Sequence, residues 1–200
     1  MSAPRIIALD PAGYRRTPWK NGGGVTIDIA DEYRPGVTQG AWEGVLWRFG
    51  RTGASLPRTP FSDLSGYDRI LAVVVGRGAV LETPDGELDV REPFRPVRFA
   101  GETSIVSRLE AGPVEVVNLI GDRTAVALDM AFLDPGAARP LGAGSHVVYA
   151  ATGPVTLTCA GQRHDLAADH ALRIEATDAA ALRCDAGRAL VASITYRAPR

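Results

Sequence analysis

Short apolar runs, each stopped by glycine, proline or aspartate, set the tightest limit on how this chain folds. Residues 80–83 and 87–90 flank Pro84-Asp85-Gly86, a strong hairpin signal. Residues 70–75 form a continuous apolar run closed by Gly76-Arg77-Gly78, as expected of a strand covered on both faces. The same punctuation continues in the second half, where residues 146–150, 155–159, 172–175, 181–184 and 190–196 alternate with turn signals such as Gly153-Pro154 and Ala186-Gly187. Strands spaced by about 8–12 residues with such turns between them read as an antiparallel barrel or jelly roll. No stretch carries the period of a long amphipathic helix. The fold class is therefore all-β, and two halves of similar rhythm point to a duplicated barrel. Residues 133–144, rich in Ala, Pro and Gly, read as a linker. The expected domains are residues 1–123, with the candidate pocket, and 124–200, plainer in sequence, with exchange of strands between them allowed.

The charge pattern excludes several function classes. Up to residue 120 there are 14 basic and 15 acidic side chains, and beyond it 8 of each, so neither half offers the basic excess of a nucleic-acid reader. The longest apolar run has six residues, far short of a membrane span, and residues 1–10 hold no long apolar signal segment, which argues for the cytoplasm. Cys159 and Cys184 are the only cysteines; without zinc or redox spacing they read as two reduced, buried thiols.

Chemistry concentrates in the first half. The stretch Thr17-Pro-Trp-Lys-Asn-Gly-Gly-Gly-Val-Thr26 combines three consecutive glycines with Trp19, Asn21 and Lys20, the only lysine of the chain. It reads either as a shaped turn at a sheet corner or as a ligand site, since glycines allow close backbone approach. The strand that follows, residues 25–30, alternates so that Thr26 and Asp28 project together. Residues 42–49 read as a strand in which Trp42, Leu46 and Arg48 share one side, and Val45, Trp47 and Phe49 the other. A guanidinium inside such a strand needs a partner. Arg48 either pairs with an acid such as Asp28 or meets a ligand. Phe61 and Ser62 lie in a Pro-rich loop over residues 57–66 that is able to fold over an opening, and Arg69 sits where that loop meets the buried strand. Asn118, between branched apolar residues, is a satisfied interior amide or a ligand contact.

Several blocks fall in an order that resembles the HutD/Ves family, small bacterial proteins tied to histidine utilisation. They are Trp19 to Thr26 with Asp28-Ile29-Ala30, Trp47-Arg48-Phe49, Pro60-Phe61-Ser62 with Gly66-Tyr67-Asp68-Arg69, Phe99-Ala100-Gly101-Glu102, and Gly112-Pro113 through Asn118 to Arg123. The likeness covers residues 14–123 and thins beyond about residue 125. It implies a bicupin, two double-stranded β-helix barrels in one chain, that binds a histidine-pathway metabolite such as urocanate or a formylated glutamate and restrains or tunes the pathway. Two positions depart from the family pattern: Ile27 stands where a basic residue is common, and Gly50 where a small hydroxyl residue usually follows Trp-Arg-x.

Metal-dependent cupins present a His-x-His pair and a later His. This chain has His146, His164 and His170 only, with no His-x-His, and no nucleotide-binding or nucleophile-elbow fingerprint. No metal and no cofactor is expected. What remains suits an anionic metabolite: Arg48 and Arg69 offer planar forks for a carboxylate, Lys20, Asn21, Thr26, Asp28, Ser62 and Asn118 fix orientation, and Trp19, Trp47 and Phe61 supply apolar walls. The leading expectation is a metal-independent binding protein, whose edge strands suit a homodimer, with no direct nucleic-acid or membrane partner. The competing one is a metal-free enzyme with Lys20 or Asp28 as acid or base on a small imidazole- or sugar-like acid. A third is a structural module.

Overall fold

The computed structural model describes residues 2–18, 24–40 and 42–198. Among them the chain forms nineteen strands and a single 3-10 turn at Pro11–Gly13. After β1 (Arg5–Leu9) come β2 (Arg15–Pro18), β3 (Gly24–Tyr33), β4 (Val45–Ala54), β5 (Arg58–Pro60) and β6 (Tyr67–Val75). They are followed by β7 (Ala79–Thr83), β8 (Gly86–Val90), β9 (Val97–Ala100), β10 (Val106–Leu109) and β11 (Val114–Asp122). The remaining strands are β12 (Val126–Leu133), β13 (Ala138–Leu141), β14 (Gly144–Tyr149), β15 (Val155–Cys159), β16 (Gln162–Leu166), β17 (Ala171–Ala176), β18 (Ala180–Ala186) and β19 (Ala189–Tyr196). No helix among the described residues is long and apolar enough to cross a membrane.

The strands divide into two compact units, Arg15–Val126 and a second made of Met1–Tyr14 with Ala127–Arg200. The first unit holds a six-stranded sheet, β2-β3-β4-β11-β6-β9, and a four-stranded sheet, β5-β10-β7-β8. The second holds a five-stranded sheet, β1-β17-β14-β19-β12, and a four-stranded sheet, β13-β18-β15-β16. Adding eight to each strand number turns the order 4-11-6-9 with 5-10-7-8 into 12-19-14-17 with 13-18-15-16. The two units therefore repeat one eight-strand topology, to which the first adds β2 and β3 and the second adds β1. The rhythm of short strands and turns reflects this repeat.

Three sequence expectations need correction. Residues 133–144 are not a linker, because β13 lies inside them and pairs with β18 in the register Ala138↔Arg183 to Leu141↔Ala180. Alanine and proline score poorly as strand formers, yet β13 is an edge, where Pro140 need not donate to a neighbour on both sides. Residues 2–14 go with the second unit through β1, which pairs with β17 from Arg5↔Glu175 to Leu9↔Ala171. The strand expected from residue 42 begins at Val45, leaving Trp42 in the preceding bend.

In the first unit, Leu71, Val73, Ala79, Leu81, Val90, Ile105 and Val114 form a buried apolar cluster, with Phe61, Val97, Phe99 and Val116 packed against it. This cluster marks the inner face of both sheets. Because side chains alternate along a strand, it fixes which polar residues point inward.

Candidate functional site

Register carries a set of polar side chains onto the inner face of the six-stranded sheet. Thr26 of β3 lies opposite Thr52 of β4, which lies opposite Val116 of the inner cluster on β11. Asp28 lies opposite Gly50, and Gly50 opposite Asn118. Two residues further, Ile120 is flanked by Arg48 on β4 and Arg69 on β6, and Arg69 faces Phe99 on β9. The pairing of β3 with β4 is irregular between Asp28 and Ala30. A Cβ on Gly50 would stand 2.8 Å from the Ile27 carbonyl oxygen, so this position tolerates only glycine without a shift.

Arg48 and Asp28 are bound to one another. The Arg48 guanidinium donates through Nε to one carboxylate oxygen and through Nη2 to the other, at 2.6 Å, and both residues are buried. Such a fork is the geometry in which a buried ion pair is best satisfied. Arg15 adds a hydrogen bond from Nε to Asp28 Oδ2 at 3.1 Å and one from Nη2 to Asp31 at 2.5 Å. The Trp42 ring covers the Arg48 guanidinium with a centroid distance of 5.0 Å, and Tyr67 holds Trp42 by an edge-on ring contact and a hydrogen bond to its carbonyl. Of the two roles open for Arg48 in the sequence, the pairing with Asp28 is the one observed. Thr26 is tied in the same way, its hydroxyl 3.2 Å from that of Thr52.

Arg69 differs. It is 7% exposed, yet its Nε has no hydrogen-bond partner and no carboxylate pairs with it among the described residues. Its guanidinium lies 4.8 Å from the Phe61 ring centroid and 5.0 Å from that of Phe99, so its contacts are two aromatic faces. Burial pushes its pKa down to about 10, with no compensating anion. It is still a full cation at neutral pH.

On the central strand β11, the inward-facing Val116 and Asn118 remain partly exposed, while Val117 and Leu119 on the other face are fully buried. Asn118 Oδ1 is itself buried without a partner. Across from it, on the inner face of the four-stranded sheet, Thr59 pairs in register with Ser107, and Ser107 with Leu81 of the cluster. The Thr59 hydroxyl also has no partner. The first unit thus holds three unpartnered buried polar atoms, from Arg69, Asn118 and Thr59, among the described residues.

Other residues of the characteristic blocks hold the loop that carries Phe61. Gly101 donates to the Tyr67 carbonyl at 2.7 Å and accepts from Leu64 at 3.0 Å; a Cβ there would stand 2.1 Å from the Leu64 oxygen. Arg123 donates to Asp68 at 2.7 Å and to both oxygens of Glu102 at 2.8 and 2.9 Å. That hydrogen bonding holds the Glu102 carboxyl down to about 2. The clamp fixes the segment 61–67 between its ends.

The structure therefore brings together Thr26, Asp28, Arg48, Phe61, Arg69 and Asn118. It does not bring in Trp47, which is fully buried on the opposite side of β4 from Arg48, or Ser62, which is exposed beyond Phe61. Trp19, Lys20 and Asn21 lie outside the described residues. Sequence reasoning missed Thr59, Phe99 and Arg15 as neighbours of the site, and placed Trp42 beside Arg48 without giving it a role. Thr59 precedes Phe61 by two, the strand period, and that spacing was the available signal.

In the second unit, Cys159 and Cys184 are both buried and free. His146 is buried with Nδ1 2.9 Å from Ser193 Oγ and Nε2 2.9 Å from the Gly142 carbonyl, a bond that only an Nε2–H can donate. His164 Nε2 is buried without a partner, and the His170 ring faces the Ala168 carbonyl. No group of three or more His, Cys, Asp or Glu among the described residues is arranged to hold a metal ion.

A family model described as HutD matches residues 11–192. A Pseudomonas putida protein described as an uncharacterized 21.2 kDa protein in the hutC 3′ region is 28% identical over 175 residues, covering 87% of this chain and 89% of its own length. HutD from Pseudomonas fluorescens SBW25 superposes with a TM-score of 0.79 at 25% identity, covering 97% of this chain and 100% of that one. A conserved protein of unknown function from Pseudomonas aeruginosa PAO1 gives a TM-score of 0.81 at 23% identity, covering 98% and 100%. At 10% identity, Ylba from E. coli still superposes with a TM-score of 0.66 over 98% of this chain and 93% of its own, a likeness of fold alone.

Proposed function

Because the chain belongs to the HutD family, we propose that it binds a small carboxylate metabolite of the histidine pathway in its first unit, without a metal, and regulates histidine utilisation. The repeated strand order supports treating the two units as the two cupin barrels of a bicupin. The observation that carries the binding reading is Arg69, a buried cation with no anion of its own. An unpaired interior charge is costly to a fold, and an incoming carboxylate removes that cost while gaining a planar, charge-assisted contact. Phe61 and Phe99 give the ligand body apolar walls beside the same group. Urocanate and formylglutamate both have a carboxylate and a compact body. Trp19, Lys20 and Asn21 enter the proposal as further contacts through the family likeness.

Arg48 and Asp28 build the wall of this site and do not serve as free groups, since each already saturates the other. That also weakens Asp28 as the proton carrier of an enzyme. Calorimetry and thermal shift with urocanate, formylglutamate and glutarate test the proposal. Saturable binding, a raised melting temperature and recovery of unchanged ligand are expected. Arg69→Ala is expected to weaken binding by about 100-fold, the loss of a charge-assisted contact in a dry site, while a chelator leaves stability unchanged. A folded wild-type protein that none of these acids stabilises overturns the reading.

A further inference from the structure

Asn118 sits at the middle of the central strand, between positions that offer its amide nothing. On one side its register partner is Gly50, which has no side chain, and on the other it is Leu71, which has no polar atom. Arg69 stands on the diagonal, one inner-face step along β6, since Ile120 and not Asn118 is its direct partner. Diagonal neighbours on one sheet face are about 7–8 Å apart, a gap that one small molecule spans. The Oδ1 atom is buried and unpaired, while the residue as a whole stays partly exposed.

The two orphans are opposite in kind. Arg69 Nε donates and never accepts; an amide oxygen accepts and never donates. They do not meet each other, so whatever lies between them has to present an acceptor to the first and a donor to the second. With the amide held in this orientation, a plain carboxylate answers only Arg69 and leaves Oδ1 unsatisfied.

Resting on the anion-binding reading above, we infer that Asn118 is the specificity-determining residue of this site, selecting small acids that carry an N–H or O–H donor beside the carboxylate. The amide oxygen takes a hydrogen bond from that donor. Acids of the same shape without a donor bind with the buried oxygen stranded, and sites built to pair a polar group reject the analogue that lacks it.

The test compares matched pairs on the full chain at pH 8 by calorimetry: urocanate against 3-(oxazol-4-yl)acrylate, in which ring oxygen replaces the N–H, and formylglutamate against its N-methylated amide. In the wild type the donor-bearing member of at least one pair is expected to bind roughly tenfold or more tightly, the consequence of leaving one buried acceptor unpaired. Asn118→Leu is expected to bring the two members within about twofold by removing that acceptor. Asn118→Asp, which keeps the side-chain shape, places an anion diagonal to Arg69 and is expected to weaken both members. Equal affinities within both pairs in the wild type overturn the inference and leave the anion reading standing, as does a ratio that survives in Asn118→Leu. If that variant does not fold, Asn118→Ala takes its place, and a ratio that survives there overturns the inference instead. If no acid of either pair binds, the anion reading falls and this inference with it.

Discussion

Arg69 and His146 occupy matching places in the two units. Each is the third residue of its strand, β6 or β14, and each faces inward between the corresponding neighbours, Ile120 and Phe99 in one case, Ser193 and Ile174 in the other. One is an aromatic-sandwiched guanidinium without an anion; the other is a neutral imidazole that spends both ring nitrogens on Ser193 and Gly142. The central strands differ in the same sense. Inward-facing Val116 and Asn118 of β11 stay partly exposed, whereas Ala189, Val191 and Ser193 of β19 are buried, within a unit whose interior is filled by Leu157, Leu182, Val148 and both cysteines. Among the described residues, one topology thus yields an interior with a single unpartnered buried polar atom, His164 Nε2, and another with three, from Arg69, Asn118 and Thr59. The difference lies in a few inward positions, not in the arrangement of strands.

The strongest way to break this contrast is to ask whether the polar wall of the first unit is held by its own ion pair. Asp28→Leu or Arg48→Met alone strands a buried charge and is expected to cost about 3–5 kcal/mol in urea unfolding. The double variant, with both charges gone, is expected to recover most of that loss. A single variant costing under about 1 kcal/mol would mean that the pair is not what fixes the wall.

The matching positions should next respond with opposite signs. Arg69→Met removes an unpaired buried charge and is expected to leave stability unchanged or raise it by about 1 kcal/mol, while abolishing anion binding. His146→Leu leaves the Ser193 hydroxyl and the Gly142 carbonyl without a partner and is expected to cost about 1–3 kcal/mol, with binding retained. Equal losses at both positions would erase the distinction between a recognition site and a structural one.

The sequence carried the all-β class well, because hairpin and glycine signals are local: Pro84-Asp85-Gly86 does join β7 to β8. It carried the placing of Thr26 and Asp28 on one face of their strand for the same reason, strand alternation, but not that this face is the inner one. It did not reveal β13, because pairing with β18 overrides the weak propensity of an Ala-Pro edge, nor β16, whose polar Gln-Arg-His-Asp run is likewise an edge strand. The two arginines looked alike in sequence. Their separation into a paired and an unpaired cation depends on cross-strand register between β3, β4, β11 and β6, a non-local property that no single segment encodes. The clamp of Asp68, Glu102 and Arg123 shows that several characteristic residues serve loop placement and not ligand contact.

The smallest expected effect is a difference in pH response. Burial lowers the pKa of His146 below its ordinary value near 6.5. The unfolded chain then takes up a proton below about pH 6.5 that the folded chain refuses, so stability is full above that pH and declines as pH falls toward the lowered folded value. The slope from one such group is at most about 1.4 kcal/mol per pH unit. Replacing the ring by an amide that still donates and accepts, His146→Gln, is expected to flatten the decline between pH 7.5 and 5.5, as read from urea midpoints at each pH. Arg69→Met is expected to run parallel to the wild type, because a guanidinium pushed down only to about 10 keeps its charge throughout this window. A wild-type decline that His146→Gln leaves intact, or that Arg69→Met removes, would place the titrating group outside the second unit's interior and undo the contrast at its most sensitive point.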